Sequence, residues 1–345
     1  MRMTDRLEAK WIDSFVEVFR LCGVQPGDAC AVLSETLSRP SLVQLSELAL
    51  ARLGARWFHL VVPTPRQSAP VPVRSTGASD AIARLQPVVN ALAGSVFIAD
   101  CTVEGLQHAV ELPEILKGGA RVLVVSNEHP EILERTAPRA EDEAPVRDAM
   151  RRIKGARAMH VTSDAGSDLA ISLAGARIGG VWGFTAKPGS LSHWPAGLVL
   201  AFPAAGSVNG TLVLAPGDVN LTFKRYLSDA VMLRIADDHV TAIEGRSVDA
   251  DLMRGYFAAW NDPAAYAVSH VGWGLNRRAR WDAMTFYDKA DFNGTELRAF
   301  AGSFLYSTGA NEVAQRHTLG HFDLPMRGCT VTLDGVAVVD HGVMV

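Results

Sequence analysis

The sequence predicts two domains, a doubly wound α/β unit over residues 1–155 and a β-rich α+β unit over residues 156–345. Two observations carry this expectation. In the first part, nearly continuous apolar runs of strand length alternate with helical periodicities, as in a parallel sheet covered on both faces. After about residue 155 the apolar runs become short and alternating, with Gly, Pro, Asp and Asn turns between them.

Taken in order, Trp11, Ile12, Phe15, Val16, Phe19 and Cys22 recur at helical spacing within residues 5–22, and a Pro-Gly-Asp turn leads into a strand over 29–33. A helix is expected over 42–53 and strands over 57–62, 95–100 and 121–125, the last after an intervening helix. Residues 63–79, rich in Pro, Ser and Thr, read as a surface loop. A charged helical segment over 141–156 closes the first domain, and residues 212–214, 231–235 and 331–339 typify the strands of the second.

Composition narrows the function. With 48% hydrophobic and 20% charged residues the chain can bury a large core. A net charge of -4 with interspersed signs gives no basic stripe to neutralise a row of phosphates, which argues against nucleic acid and for small-molecule partners. No apolar run approaches the ~20 residues that span a bilayer, and residues 1–8 mix both charge signs, which reads as cytoplasmic. Cys22, Cys30, Cys101 and Cys329 are scattered and fit buried thiols better than zinc or disulfides. There is no GxGxxG after the first strand, no GxxxxGK[ST], no GxSxG and no HExxH.

The chemistry concentrates in Gly320, His321, Phe322, Asp323, Leu324 and Pro325. In an extended segment, His321 and Asp323 project from the same face and offer two adjacent metal positions. A second imidazole would complete a two-His, one-carboxylate set, which leaves positions open for substrate and dioxygen on iron(II). His270 is the candidate: Gly272 and Gly274 allow close backbone approach there, and Trp273 is an aromatic flank expected beside the substrate. The bland alternative for His321 is a histidine hydrogen-bonded to its neighbouring carboxylate.

Residues 269–281, 307–309 and 320–327 resemble those of the 2,5-dihydroxypyridine 5,6-dioxygenases, as do residues 165–168 together with 193–197. The likeness runs along nearly the whole chain. That family shares its fold with metal-dependent aminopeptidases of the aminopeptidase T type, so the resemblance implies an aminopeptidase T-like fold. It also implies iron(II) held by His270, His321 and Asp323, a small aromatic substrate with dioxygen, and a homo-oligomer. His108 falls at the family's acid/base position, at the start of a helix leading to Leu116, while His193 and Ser307 match substrate-binding positions. The two-metal aminopeptidases carry Glu where this chain has His270, and besides Asp323 only Glu312 offers another acid near His321, which favours oxygenation over the alternative, aminoacyl hydrolysis. The family pattern implies a glutamate near position 181, where this chain has Val181 within an apolar, Gly-rich segment over 177–191. Such a wall suits a differently substituted ring, unless the segment faces solvent or another subunit.

Overall fold

The computed structural model describes residues 6–67, 69–71 and 79–345. The helix α1 (Ala9–Leu21) buries Trp11, Phe15, Val18 and Phe19 along one stripe. Then follow β1 (Ala29–Glu35), α2 (Pro40–Arg52), with Pro40 at its first turn, and β2 (Arg56–Val62). The expected loop over 63–79 and the first residue of the expected leading helix fall partly outside the described residues. Next come α3 (Gln86–Ala93), β3 (Phe97–Asp100), α4 (Leu112–Lys117), β4 (Arg121–Val125) and α5 (Pro130–Arg135). A longer helix, α6 (Glu143–Gly155), ends the first stretch.

The second stretch opens with β5 (Ala158–Ser163), β6 (Asp168–Ser172) and β7 (Arg177–Val181). It continues through β8 (Leu191–Trp194), β9 (Leu198–Phe202), β10 (Val208–Leu214) and a small ribbon of β11 (Val219–Asn220) and β12 (Arg225–Tyr226). Then come β13 (Val231–Ala236), β14 (His239–Glu244), α7 (Val248–Trp260) and β15 (Val268–Gly274). The one-turn α8 (Thr295–Ala299) precedes β16 (Phe304–Thr308), β17 (Phe322–Met326), β18 (Cys329–Leu333), β19 (Val336–Asp340) and β20 (Val343–Met344). The expected run over 331–339 is a hairpin, because Asp334 and Gly335 both take positive φ, 48° and 84°.

Among the described residues, three larger sheets form besides the β11-β12 ribbon. The first is parallel, ordered β2-β1-β3-β4-β8. Its faces carry separate cores, one with α1 and α2, the other with Leu92, Leu106, Leu112 and Ile115 of the α3 and α4 side. This order puts a topological switch between β1 and β3, the place where ligands sit beyond the carboxyl ends of such strands. The chain re-enters this sheet after residue 155, since β8 pairs with β4.

An antiparallel sheet ordered β14-β13-β10-β6-β5-β18-β19-β20 shares one core with an antiparallel sheet ordered β17-β16-β15-β9-β7 and with α7. The five-stranded sheet buries Val271, Trp273, Phe304, Tyr306 and Leu324 in that core. Its other face, with Leu198, Leu200 and Leu305, looks toward the carboxyl end of the parallel sheet. Among the described residues, no helix is long and apolar enough to cross a membrane. All four cysteines are buried and unbonded, and burial pushes the Cys22, Cys30 and Cys101 thiols up to about 12.

Candidate metal centre

Register assembles the centre. Across the five-stranded sheet His270 on β15 faces Ser307 on β16, and Ser307 faces Asp323 on β17. His321, two residues before Asp323, joins the same face. A bulge between Val268 and His270 shifts the register at this point. Gly272 and Gly274 are obligatory neighbours: a Cβ would stand 1.9 Å from the Val199 carbonyl at the first and 2.1 Å from the Phe300 carbonyl at the second.

His270 Nε2 and His321 Nε2 lie 3.8 and 3.2 Å from Asp323 Oδ1. Ligand atoms of His108, His270 and His321 all fall within 4.8 Å of one another. Neighbouring ligands of an octahedral ion with ~2.1 Å bonds stand about 3 Å apart, so His270, His321 and Asp323 fit one divalent cation. The neighbouring hydrogen bonds point the donors inward. His270 Nδ1–H donates to Ser269 Oγ at 3.1 Å, and that hydroxyl donates to the Ala310 carbonyl, which leaves the Nε2 lone pair free. Ser307 Oγ donates to Asp323 Oδ1, and Arg298 Nε donates to Oδ2.

Charge follows the same plan. Burial pushes the Asp323 carboxyl upward, but His321 and Arg298 outweigh it and hold it well below the usual carboxylate range. Burial lowers His270 to about 3 and holds His108 well below its ordinary value, so both imidazoles stay neutral.

His108 arrives from the segment between β3 and α4. It sits in a turn before α4 rather than in the helix, because Pro113 belongs to a first helical turn and α4 starts at Leu112. Buried carboxylates at the ends of β3 and β1 fix this turn. Asp100 accepts from the amides of Thr102 and Leu106 at 2.9 and 2.8 Å, and Glu35 accepts from that of Val103 at 3.2 Å. The His108 ring then lies 4.7 Å from that of His321, centroid to centroid.

These residues line a cavity of about 1010 Å³, walled by the turn and helix after β3 and by β7, β9 and β15. His193, at the carboxyl end of β8, lines it too. Its Nδ1–H donates to the Pro195 carbonyl at 2.6 Å, and burial lowers the ring to about 4. Val181 is in the wall, so the segment on β7 faces the cavity. Glu312 stands exposed at the rim, 3.2 Å from Arg177, and adds no second carboxylate to the donor cluster.

Two expectations are corrected. Trp273 does not flank the substrate: three residues beyond His270, strand alternation turns it to the opposite face, into the main core. Ser307 does not reach the cavity either, because it is fully buried and spends its hydroxyl on Asp323. Sequence reasoning passed over three contributors: Arg298, Phe202, whose ring lies 5.3 Å from that of His270, and Glu128. Glu128, just beyond β4, accepts the amides of Asn293, Gly294 and Thr295 at 2.7–2.8 Å and so anchors α8, which carries Arg298. No local motif marks any of them.

A parallel α/β sheet joined to a β-rich half, with an imidazole–carboxylate cluster between them able to hold a metal, defines an enzyme of the metal-site class. The chain belongs to the 2,5-dihydroxypyridine 5,6-dioxygenase family, whose model matches residues 10–345, and it is a dioxygenase. It is 36% identical over 335 residues to the 2,5-dihydroxypyridine 5,6-dioxygenase of Pseudomonas putida, covering 96% of this chain and 95% of that one. The solved structure of the 2,5-dihydroxypyridine dioxygenase from Pseudomonas putida KT2440 superposes with a TM-score of 0.92 at 35% identity, over 99% of this chain and 98% of the other. Wild-type AmpT from Thermus thermophilus matches with a TM-score of 0.59 at 12% identity, over 97% of this chain and 99% of that one, and shares the fold.

Proposed function

We propose that this chain opens the ring of 2,5-dihydroxypyridine, or of a closely related hydroxylated N-heteroaromatic, using iron(II) held by His270, His321 and Asp323. The observation that carries the reading is the convergence of the two Nε2 atoms on Asp323 Oδ1, at 3.8 and 3.2 Å, at a cavity wall. Two imidazoles and one carboxylate suit non-haem iron(II) and leave the cavity side open. Bound there, iron(II) would supply a template for ring and dioxygen and a path for electrons between them.

The chain's own residues do the rest. His108, kept neutral by burial, accepts the proton of a ring hydroxyl. His193, with its Nδ1–H committed to Pro195, offers Nε2 as acceptor to a second ring hydroxyl or N–H. Arg298 and Ser307 hold the Asp323 carboxylate in place. Apolar residues around the cavity keep bulk water from the reacting ring. In the net reaction the C5–C6 bond breaks and both oxygen atoms of dioxygen enter the product, an N-formylmaleamate-type acid; no other co-reactant is needed. The same reading makes the chain a cytoplasmic homo-oligomer of pyridine catabolism.

Anaerobic iron(II) reconstitution followed by oxygen-electrode assay tests this. One dioxygen consumed per dihydroxypyridine is expected. No uptake with any dihydroxypyridine, together with aminoacyl hydrolysis on added zinc or cobalt, would overturn it in favour of the aminopeptidase alternative.

A further inference from the structure

The cavity is larger and more apolar than the ring it is proposed to hold. A bare dihydroxypyridine has about eight heavy atoms, whereas cavities of ~300–1,000 Å³ enclose drug-sized molecules. The candidate metal donors and the neighbouring imidazole, His270, His321, Asp323 and His108, lie together in the lining, which also carries charged groups, Arg177, Arg298, Glu312 and Arg316 among them. The lining also carries apolar side chains: Val110, Leu112 and Leu116 from the turn and helix after His108, Val181 from β7, and Leu191 from the start of β8. Val110 is 65% exposed, and Leu116, Val181 and Leu191 are only half-buried, so part of this apolar lining stays uncovered.

We propose that this wall is a subsite for an apolar substituent, and that the preferred substrate is a dihydroxypyridine carrying an alkyl or aryl group on the ring edge opposite the cleaved bond. The inference rests on the ring-cleavage reading and specifies its substrate class. The reacting edge must lie at the donor atoms, which leaves the opposite edge to face outward into the remaining volume. There a hydrocarbon substituent displaces water from both itself and the wall. Each methylene so buried strengthens binding roughly fourfold.

The test uses the iron-loaded enzyme with 2,5-dihydroxypyridine and its 3-ethyl, 3-butyl and 3-carboxy derivatives. Binding is titrated without oxygen, and turnover is followed by oxygen uptake. Tightening of roughly fourfold per methylene along the alkyl series is the expected result, and a 3-carboxy derivative that binds more tightly than the 3-butyl one would overturn the subsite. Val181→Glu, and independently Val110→Asp at an exposed position that the fold tolerates, should lower the butyl-to-unsubstituted ratio of kcat/KM at least tenfold. Alkyl derivatives that bind no better than the unsubstituted ring would overturn the subsite while leaving ring cleavage standing. Alkyl derivatives that bind tightly but consume no oxygen, with no uptake from any dihydroxypyridine, would support the subsite and overturn the ring-cleavage reading instead.

Discussion

Among the described residues, two clusters combine serine, histidine and a carboxylate, and only one of them borders the cavity. At the edge of the parallel sheet, Ser34 Oγ lies 2.7 Å from His59 Nε2, and His59 Nδ1 lies 3.1 Å from Glu47 Oε1. Both imidazole nitrogens are spent locally, and the three residues tie β1, β2 and α2 together. In the row formed by His270, Ser307 and Asp323, the serine hydroxyl goes to the carboxylate instead, and the imidazole keeps its Nε2. Residue type is the same in the two places. What differs is which lone pairs remain after the neighbouring hydrogen bonds are counted, and that decides which cluster can bind anything.

The contrast can be broken most forcefully at the donors. His321→Ala or Asp323→Ala should abolish both bound metal, read by elemental analysis, and oxygen uptake; retention of stoichiometric metal in both variants would refute the assigned set. His108→Ala should keep its metal yet slow turnover by roughly 10²–10⁴-fold, since it removes a proton acceptor and not a donor to the ion. Ser307→Ala and Ser269→Ala are expected to weaken metal binding by roughly 10–100-fold in a chelator competition, as partners that orient ligands do. At the small end, Ser34→Ala should leave metal content and turnover unchanged and lower stability to urea by about 1 kcal/mol, the value of one hydrogen bond. A loss of activity there would mean the two clusters are coupled.

Much of this was legible in the chain. The strand expected over 121–125 is found at those residues, and α2 lies within two residues of its expected bounds, because their patterns are local and strong. The pairing of His321 with Asp323 was legible for the same reason, since a period of two puts them on one face. His270 lies 51 positions away in the sequence from His321, and only family likeness reached it. Arg298, Glu128 and the return of β8 to the first sheet depend on contacts between distant segments that no local pattern encodes. The misplacement of Trp273 has a different source: an odd step along β15 from His270 already put it on the far face, and flanking in sequence was weighed above alternation.

The re-entry of β8 also bears on how the protein is made. When residue 155 leaves the ribosome, the parallel sheet still lacks its outer strand beside β4, and the strand that completes it ends at Trp194. At synthesis rates of ~5–20 residues per second, the intervening stretch of about 40 residues takes roughly 2–8 s to appear. During that interval β4 presents an unpaired, apolar edge, with Val122, Leu123 and Val124 waiting for a partner. The parallel sheet is therefore finished only after residues beyond 155 have been translated, and a fragment ending at residue 155 would be born with an adhesive edge.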